Sequence, residues 1–180
     1  MERMTGRLLA TGRSAGFDVD SAGTHGPAGL PIHPLTAAAL ARRGVPAEGH
    51  ASRLLTPDVV AWADLVLTAE RAHRAAVVAA LPEAADRTFT LLEFAHRAGR
   101  AVDLGATDPA DLVAGVDALG REDSARGTRS DDVPDPVSGD ENGHESVAEV
   151  IRQAVVMTAD ALLSTDQRDL RGGPDGSGEE

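Results

Sequence analysis

The chain contains no cysteine, no lysine and no tyrosine, and its aromatic share is 2%. Without cysteine it forms no disulfide and supplies no thiolate of its own, either as nucleophile or as metal ligand. Three Phe and one Trp leave almost no surface for stacking on bases or sugars. No apolar run approaches the ~18 residues of a membrane-spanning helix. The opening "MERMTGRLLATGR" lacks the uninterrupted apolar stretch of a secretory signal, so the reading predicts a cytoplasmic protein. With 29 acids against 17 basic residues the net charge is −12, which disfavours nucleic acid and anionic membranes as partners. The basic residues are all arginine. This suits bidentate oxyanion binding, but it also follows from a GC-rich genome, and the genomic reading is preferred.

The hydrophobic share is 42%, mostly Ala, Leu and Val, spread over 180 residues. That suits one α/β domain with Ala-rich helices and Val/Leu strands. The pattern predicts a helix over 1–13, a short strand over 17–21 ("FDVDS") and a Gly/Pro-broken loop over 24–32. A helix over 35–43 stops at Gly44, and Thr56-Pro57 is an N-cap followed by proline at the first helical position. "DLVLTA" at 64–69 reads as a buried strand, 70–80 as a helix and "TFTLL" as a further strand. This alternation predicts a parallel sheet flanked by helices. Beyond Ala95 the composition turns to Gly, Asp and Arg. Residues 97–132 read as a polar excursion with one helix over 109–119, open to use as a lid or partner surface. A terminal helix over 145–163 closes the domain, 1–165, and 166–180 reads as a disordered acidic tail.

Several polar groups invite a chemical reading. His25, His33, His50, His73, His96 and His144 show no i, i+4 pair, so no metal site and no cofactor is expected. His25 and His33 flank the loop near the presumed pocket and read as solvated, and His50 reads as a brace for the strand behind it. "GRSAG" at 12–16 resembles a phosphate loop but follows a helix, so it reads as a helix end and turn. "DENGHE" at 140–145 lacks the closing Glu of a calcium loop and reads as the approach to the last helix.

"VPDPVSGD" at 133–140 is the most distinctive stretch. Pro136 drives Asp135 toward extended geometry, Pro134 fixes its own φ, and Ser138-Gly139 allows a tight reversal. An acid so mounted is either a proton donor for a leaving group or an ordinary surface turn.

Five stretches in order decide the matter: "DSAGT" at 20–24, "GVPAEGHASRLLT" at 44–56, "ADLVLTAE" at 63–70, "LLEFA" at 91–95 and "VPDP" at 133–136. Together they resemble the low-molecular-weight protein tyrosine phosphatases, above all the bacterial branch. The resemblance implies a four-stranded parallel sheet of the flavodoxin-like or Rossmann-like kind, with phosphate bound at the C-terminal strand ends. It also implies hydrolysis of phosphotyrosine proteins or small aryl phosphates through a phosphocysteine intermediate, with Asp135 as the general acid. Substrate-binding residues stay unassigned, as does the oligomeric state.

The family's Cys-x5-Arg-Ser loop, which binds phosphate at a helix N-terminus, has no counterpart here, because "MERM" aligns just after it. Ser21 belongs to a supporting turn and does not replace the cysteine. The chain is therefore expected to lack the first strand, leaving a gap of two strand spacings, ~9–10 Å, inside the sheet. The simplest expectation is that Met1 is an internal methionine of a longer protein. The aromatic residues that sandwich a phenol ring in tyrosine-specific members are also absent, the matching stretches reading Val137-Ser138 and "HGPA" at 25–28. Two other readings remain: a catalytically dead binding module, and an arsenate reductase on the same fold, which the lack of further cysteines disfavours.

Overall fold

The structure is a computed structural model, and it describes residues 17–124, 131–136 and 140–169. The expected helix over 1–13, the turn at 12–16, Val137-Ser138 and residues 170–180 lie outside the described residues.

Helix α1 (Pro34–Arg42) starts where His33 accepts a hydrogen bond from the Leu35 N–H and Pro34 presets φ. It ends where Gly44, at φ +65°, turns the chain and Val45 N–H donates to the Leu40 carbonyl. Helix α2 (Pro57–Trp62) is capped by Thr56, whose hydroxyl accepts from Val59 N–H. Strand β1 (Val66–Thr68) leads into α3 (Arg71–Ala80) and a 3₁₀ turn (Pro82–Arg87), and then β2 (Thr88–Thr90) pairs parallel with β1. Helices α4 (Leu91–Asp103), α5 (Pro109–Ser124) and α6 (Glu141–Asp169) complete the order. The architecture is α/β, as expected.

Four expectations need correction. Residues 17–22 form no strand; among the described residues the stretch makes an isolated parallel bridge, from Gly23 just beyond it to Leu54. The "TFTLL" strand stops at Thr90, because Thr90 and Glu93 form a reciprocal capping box that commits Leu91 and Leu92 to α4. Residues 97–124 are largely helical and carry much of the core: Ala98, Ala101, Leu112, Val116 and Leu119 are all buried. Their apolar stripe is made of Ala as much as Leu, so composition hid it. Helix α6 likewise runs to Asp169, past the expected start of the tail at Asp166.

The main core forms where α4, α5 and α6 meet the buried strand β2. Phe89 and Phe94 pack with centroids 5.5 Å apart, over Leu112, Val116 and Ala161. The small residues set the spacing: a Cβ on Gly115 would meet the Ala101 Cβ at 3.1 Å, so α5 lies against α4 at a distance a larger residue would widen. A second, smaller cluster joins Val60 of α2, Val77 of α3 and Ala84. On the surface, Arg42 of α1 and Arg43, its C-cap, pair with Glu141 and Glu145 of α6 at 2.7–2.8 Å. These exposed pairs fix orientation more than stability. One turn on, hydrogen bonds from Arg152 and then Gln153 hold the Glu149 carboxyl down to about 2.

Candidate active site

The Asp135 segment is anchored at the C-terminal end of β1. Val133 is buried and its N–H donates to the Ala69 carbonyl at 2.8 Å, which fixes the segment beside the residue that follows the strand. Asp132 provides the second fastening. Its carboxylate accepts the Arg71 N–H at 2.8 Å, at the start of α3, and the Arg71 guanidinium at 3.1–3.3 Å. A carboxylate at a helix N-terminus is favoured by the helix dipole, and the bidentate Arg adds direction. Hydrogen bonds from the Arg71 side chain and then its backbone hold the Asp132 carboxyl below its ordinary 3.8. Asp131 lies 3.6 Å from His96 of α4. Between the two prolines, Asp135 itself is exposed, presented on a segment tied to both α3 and β1.

Beside this end of β1 opens a cleft of about 340 Å³. Residues 20–24 form one wall, residues 65–69 the other, and Val59, Val60 and Val77 lie between, with Trp62 and His73 also lining it. The wall at 20–24 is held by Arg53, itself on the lining, which donates to the Ser21 carbonyl at 2.7 Å and pairs with Asp20 at 2.7 Å. Gly23 N–H donates to the Arg53 carbonyl, and Leu55 N–H donates to Gly23 in return. Ala69 lines the cleft and also holds Val133, so the Asp135 segment adjoins the cleft at the end where β1 stops.

The sequence reading singled out Asp135 but not its supports. Asp132 and Arg71 are 61 residues apart and nothing local in either stretch announces the pairing. His50 is exposed, and the bracing expected of it comes from Arg53 and from Ser52, which holds Leu30 and Gly29. His33 is no simple solvated loop residue, because it caps α1 and stacks on His144 at 5.1 Å. His144 is 2% exposed and bonds Thr36 at 3.0 Å through Nδ1, so it ties α6 to α1. Its inward position on the first turn of α6 was the signal available in "DENGHE".

Comparison with known proteins assigns the family. The family model described as low molecular weight phosphotyrosine protein phosphatase matches residues 2–114, well over half of the chain. The Escherichia coli K12 low molecular weight protein-tyrosine-phosphatase Etp is 40% identical over 84 residues, 47% of this chain and 57% of that protein. A protein-arginine-phosphatase of Geobacillus stearothermophilus is 33% identical over 91 residues, 51% of this chain and 61% of that protein. The chain thus spans a little over half the length of the curated relatives it matches. In structure, the YwlE arginine phosphatase from G. stearothermophilus superposes with TM-score 0.62 at 22% identity, covering 93% of this chain and 86% of that one. The low molecular weight protein tyrosine phosphatase from T. tengcongensis gives 0.61 at 22% identity, with coverage of 85% and 82%. With its Asp-Pro segment set at the end of a parallel strand pair, the chain belongs to the low-molecular-weight phosphotyrosine protein phosphatase family.

Proposed function

We propose that this protein takes part in hydrolysis of phosphate monoesters on phosphotyrosine proteins or small aryl phosphates, through a phosphocysteine intermediate, with Asp135 as the general acid. The observation that supports this reading is the mounting of the Asp135 segment. Val133 is bonded to Ala69 at the end of β1, and Asp132 is locked to Arg71. A carboxylic acid held there protonates the leaving oxygen as the P–O bond breaks, so the product leaves as a neutral alcohol or phenol. The attacking thiolate is not among the 180 residues, which contain no cysteine, so this chain by itself is inert. Activity requires a cysteine supplied from outside them.

A second substrate class is favoured by one specific relative, the protein named as a protein-arginine-phosphatase. For phosphoarginine the same acid protonates the departing guanidine nitrogen, and no aromatic platform is needed. This suits the thin aromatic content of the chain.

The test uses the protein isolated from its own cells. Its turnover of aryl phosphate is expected to be blocked by iodoacetate. Asp135→Asn is expected to lower kcat by about 10²–10⁴-fold for poor leaving groups, and by less for p-nitrophenol, which leaves without protonation. Turnover insensitive to iodoacetate, or a loss that ignores the leaving group, contradicts the mechanism. A protein with no turnover of aryl phosphate or phosphoarginine supports the binding-module reading instead.

A further inference from the structure

We propose that His33 and His144 form a proton-operated joint between α1 and α6. It is fastened while both rings are neutral and released when they are protonated. His33 closes the loop that follows the cleft wall at 20–24, where α1 begins. His144 lies in the first turn of α6, the helix that follows the Asp135 segment. The joint therefore ties together the two stretches of chain that lead away from the candidate site.

Each ring has its own reason to stay neutral. The His33 Nδ1 accepts the Leu35 N–H at 3.3 Å, and only a nitrogen without a proton can do so. Protonation turns that acceptor into a donor and sets a cation at a helix N-terminus, the end that favours anions. No acid stands in the first turn of α1 to offset it. His144 is 2% exposed, and its Nδ1 lies 3.0 Å from the Thr36 hydroxyl. Among the described residues its buried Nε2 has no hydrogen-bond partner. An imidazolium there would bury both a charge and an N–H that lacks an acceptor. The two rings are 5.1 Å apart and 7° from parallel, so a second charge would face the first across the stack.

The other charged groups at the joint are Arg42 and Arg43 from the end of α1, with Asp140, Glu141, Glu145 and Glu149 around the start of α6. Each of these carboxylates is already engaged. Asp140 accepts the Gly143 N–H at 2.9 Å, and Glu141 pairs with Arg42 at 2.8 Å. Hydrogen bonds from Arg42 hold the Glu145 carboxyl below its ordinary 4.5, and those from Arg152 hold Glu149 at about 2. Carboxyls ordinarily titrate near ~4 and imidazoles near ~6.5, so a transition at this joint between about pH 8 and 5 belongs to the histidines. The fastened state is present above that range and is lost as pH falls through it.

The test follows amide exchange and the histidine ring resonances of the full 180-residue chain by NMR, from about pH 8 to 5. Protection is expected to fall about tenfold or more at the Ala37 amide, bonded to the His33 carbonyl, and at the His144 amide, bonded to Asp140. The fall should coincide with protonation of the His33 and His144 rings, while the β2 amides keep their protection. His33→Asn keeps a capping acceptor that does not titrate, and His144→Gln keeps a polar partner for Thr36. Each is expected to shrink the step, and the double variant to abolish it. A flat wild-type profile, rings that protonate without loss of protection, or a step that survives in the double variant overturns the proposal. Where the double variant does not fold, the coincidence of ring and amide transitions in the wild type decides alone. The joint invokes neither thiolate nor phosphate, so its failure leaves the role of Asp135 untouched, and loss of the Asp135 effect leaves the joint untouched.

Discussion

The two ends of the short sheet are built to different standards. On the β2 side, Phe89, Phe94, Leu112 and Val116 are sealed among three helices, and every β2 residue is buried. On the β1 side, the strand borders a cleft, and Leu67 and Trp62 on its lining are exposed. The same parallel ladder joins both, so the difference lies in what covers each strand. The β2 side carries the packing that makes the fold, whereas the β1 side carries the cleft and the Asp135 mount. The proposed general acid therefore sits where packing is incomplete, which is the usual division of labour between scaffold and site.

The contrast can be broken most forcefully in the core. Leu112→Ala is expected to cost about 2–5 kcal/mol, because it removes a fully buried side chain that has few ways to be replaced. Urea unfolding measures this, and a loss below about 0.5 kcal/mol would show that the β2 side is no tighter than the β1 side. Next comes the capping box: Thr90→Ala is expected to cost about 0.5–2 kcal/mol, as β2 loses the residue that starts α4. A cost no greater than that of an exposed surface substitution would remove Thr90 as the boundary. The smallest effect belongs to Trp62→Ala, expected within about 0.5 kcal/mol because its ring already faces solvent. A cost of several kcal/mol would mean that Trp62 is buried in solution and the cleft is closed.

The Asp132–Arg71 fastening adds a pH dependence that separates the two sides. The Asp132 carboxyl lies below its ordinary 3.8 in the folded chain, so its contribution is fully present above that value. It is lost as pH falls below 3.8 through the folded value, when protonation breaks the pairing with Arg71. Amide exchange at Val133 should therefore accelerate in that acid window in the wild type. Asp132→Asn should remove the step while leaving β2 amides unaffected. A Val133 profile identical in both proteins would show that Asp132 does not hold the segment.

Much of this was legible in the sequence, for definable reasons. The helix starts at Pro34 and Pro57 and the strand at 66–68 carry local signals, in a cap, a proline or a continuous apolar run. The Asp-Pro segment was legible because two prolines restrict the backbone regardless of context. What stayed hidden depends on distant partners. Residues 97–124 looked polar because alanine and glycine, which set the close approach of α4 and α5, count little toward hydrophobicity. The strand expected over 17–21 does not form, because among the described residues Gly23 alone in this stretch has a ladder partner, and pairing is a property of two segments, not one. The Asp132–Arg71 and His33–His144 contacts join residues 61 and 111 positions apart, beyond any local pattern.

The measurement that tests the account most directly is hydrolysis of p-nitrophenyl phosphate by the 180-residue chain beside its Asp135→Asn variant. The account predicts equal, background rates for the two, because an acid without a nucleophile breaks no P–O bond. Clear turnover by the chain that Asp135→Asn abolishes would contradict it, since a nucleophile other than cysteine would then lie among these residues.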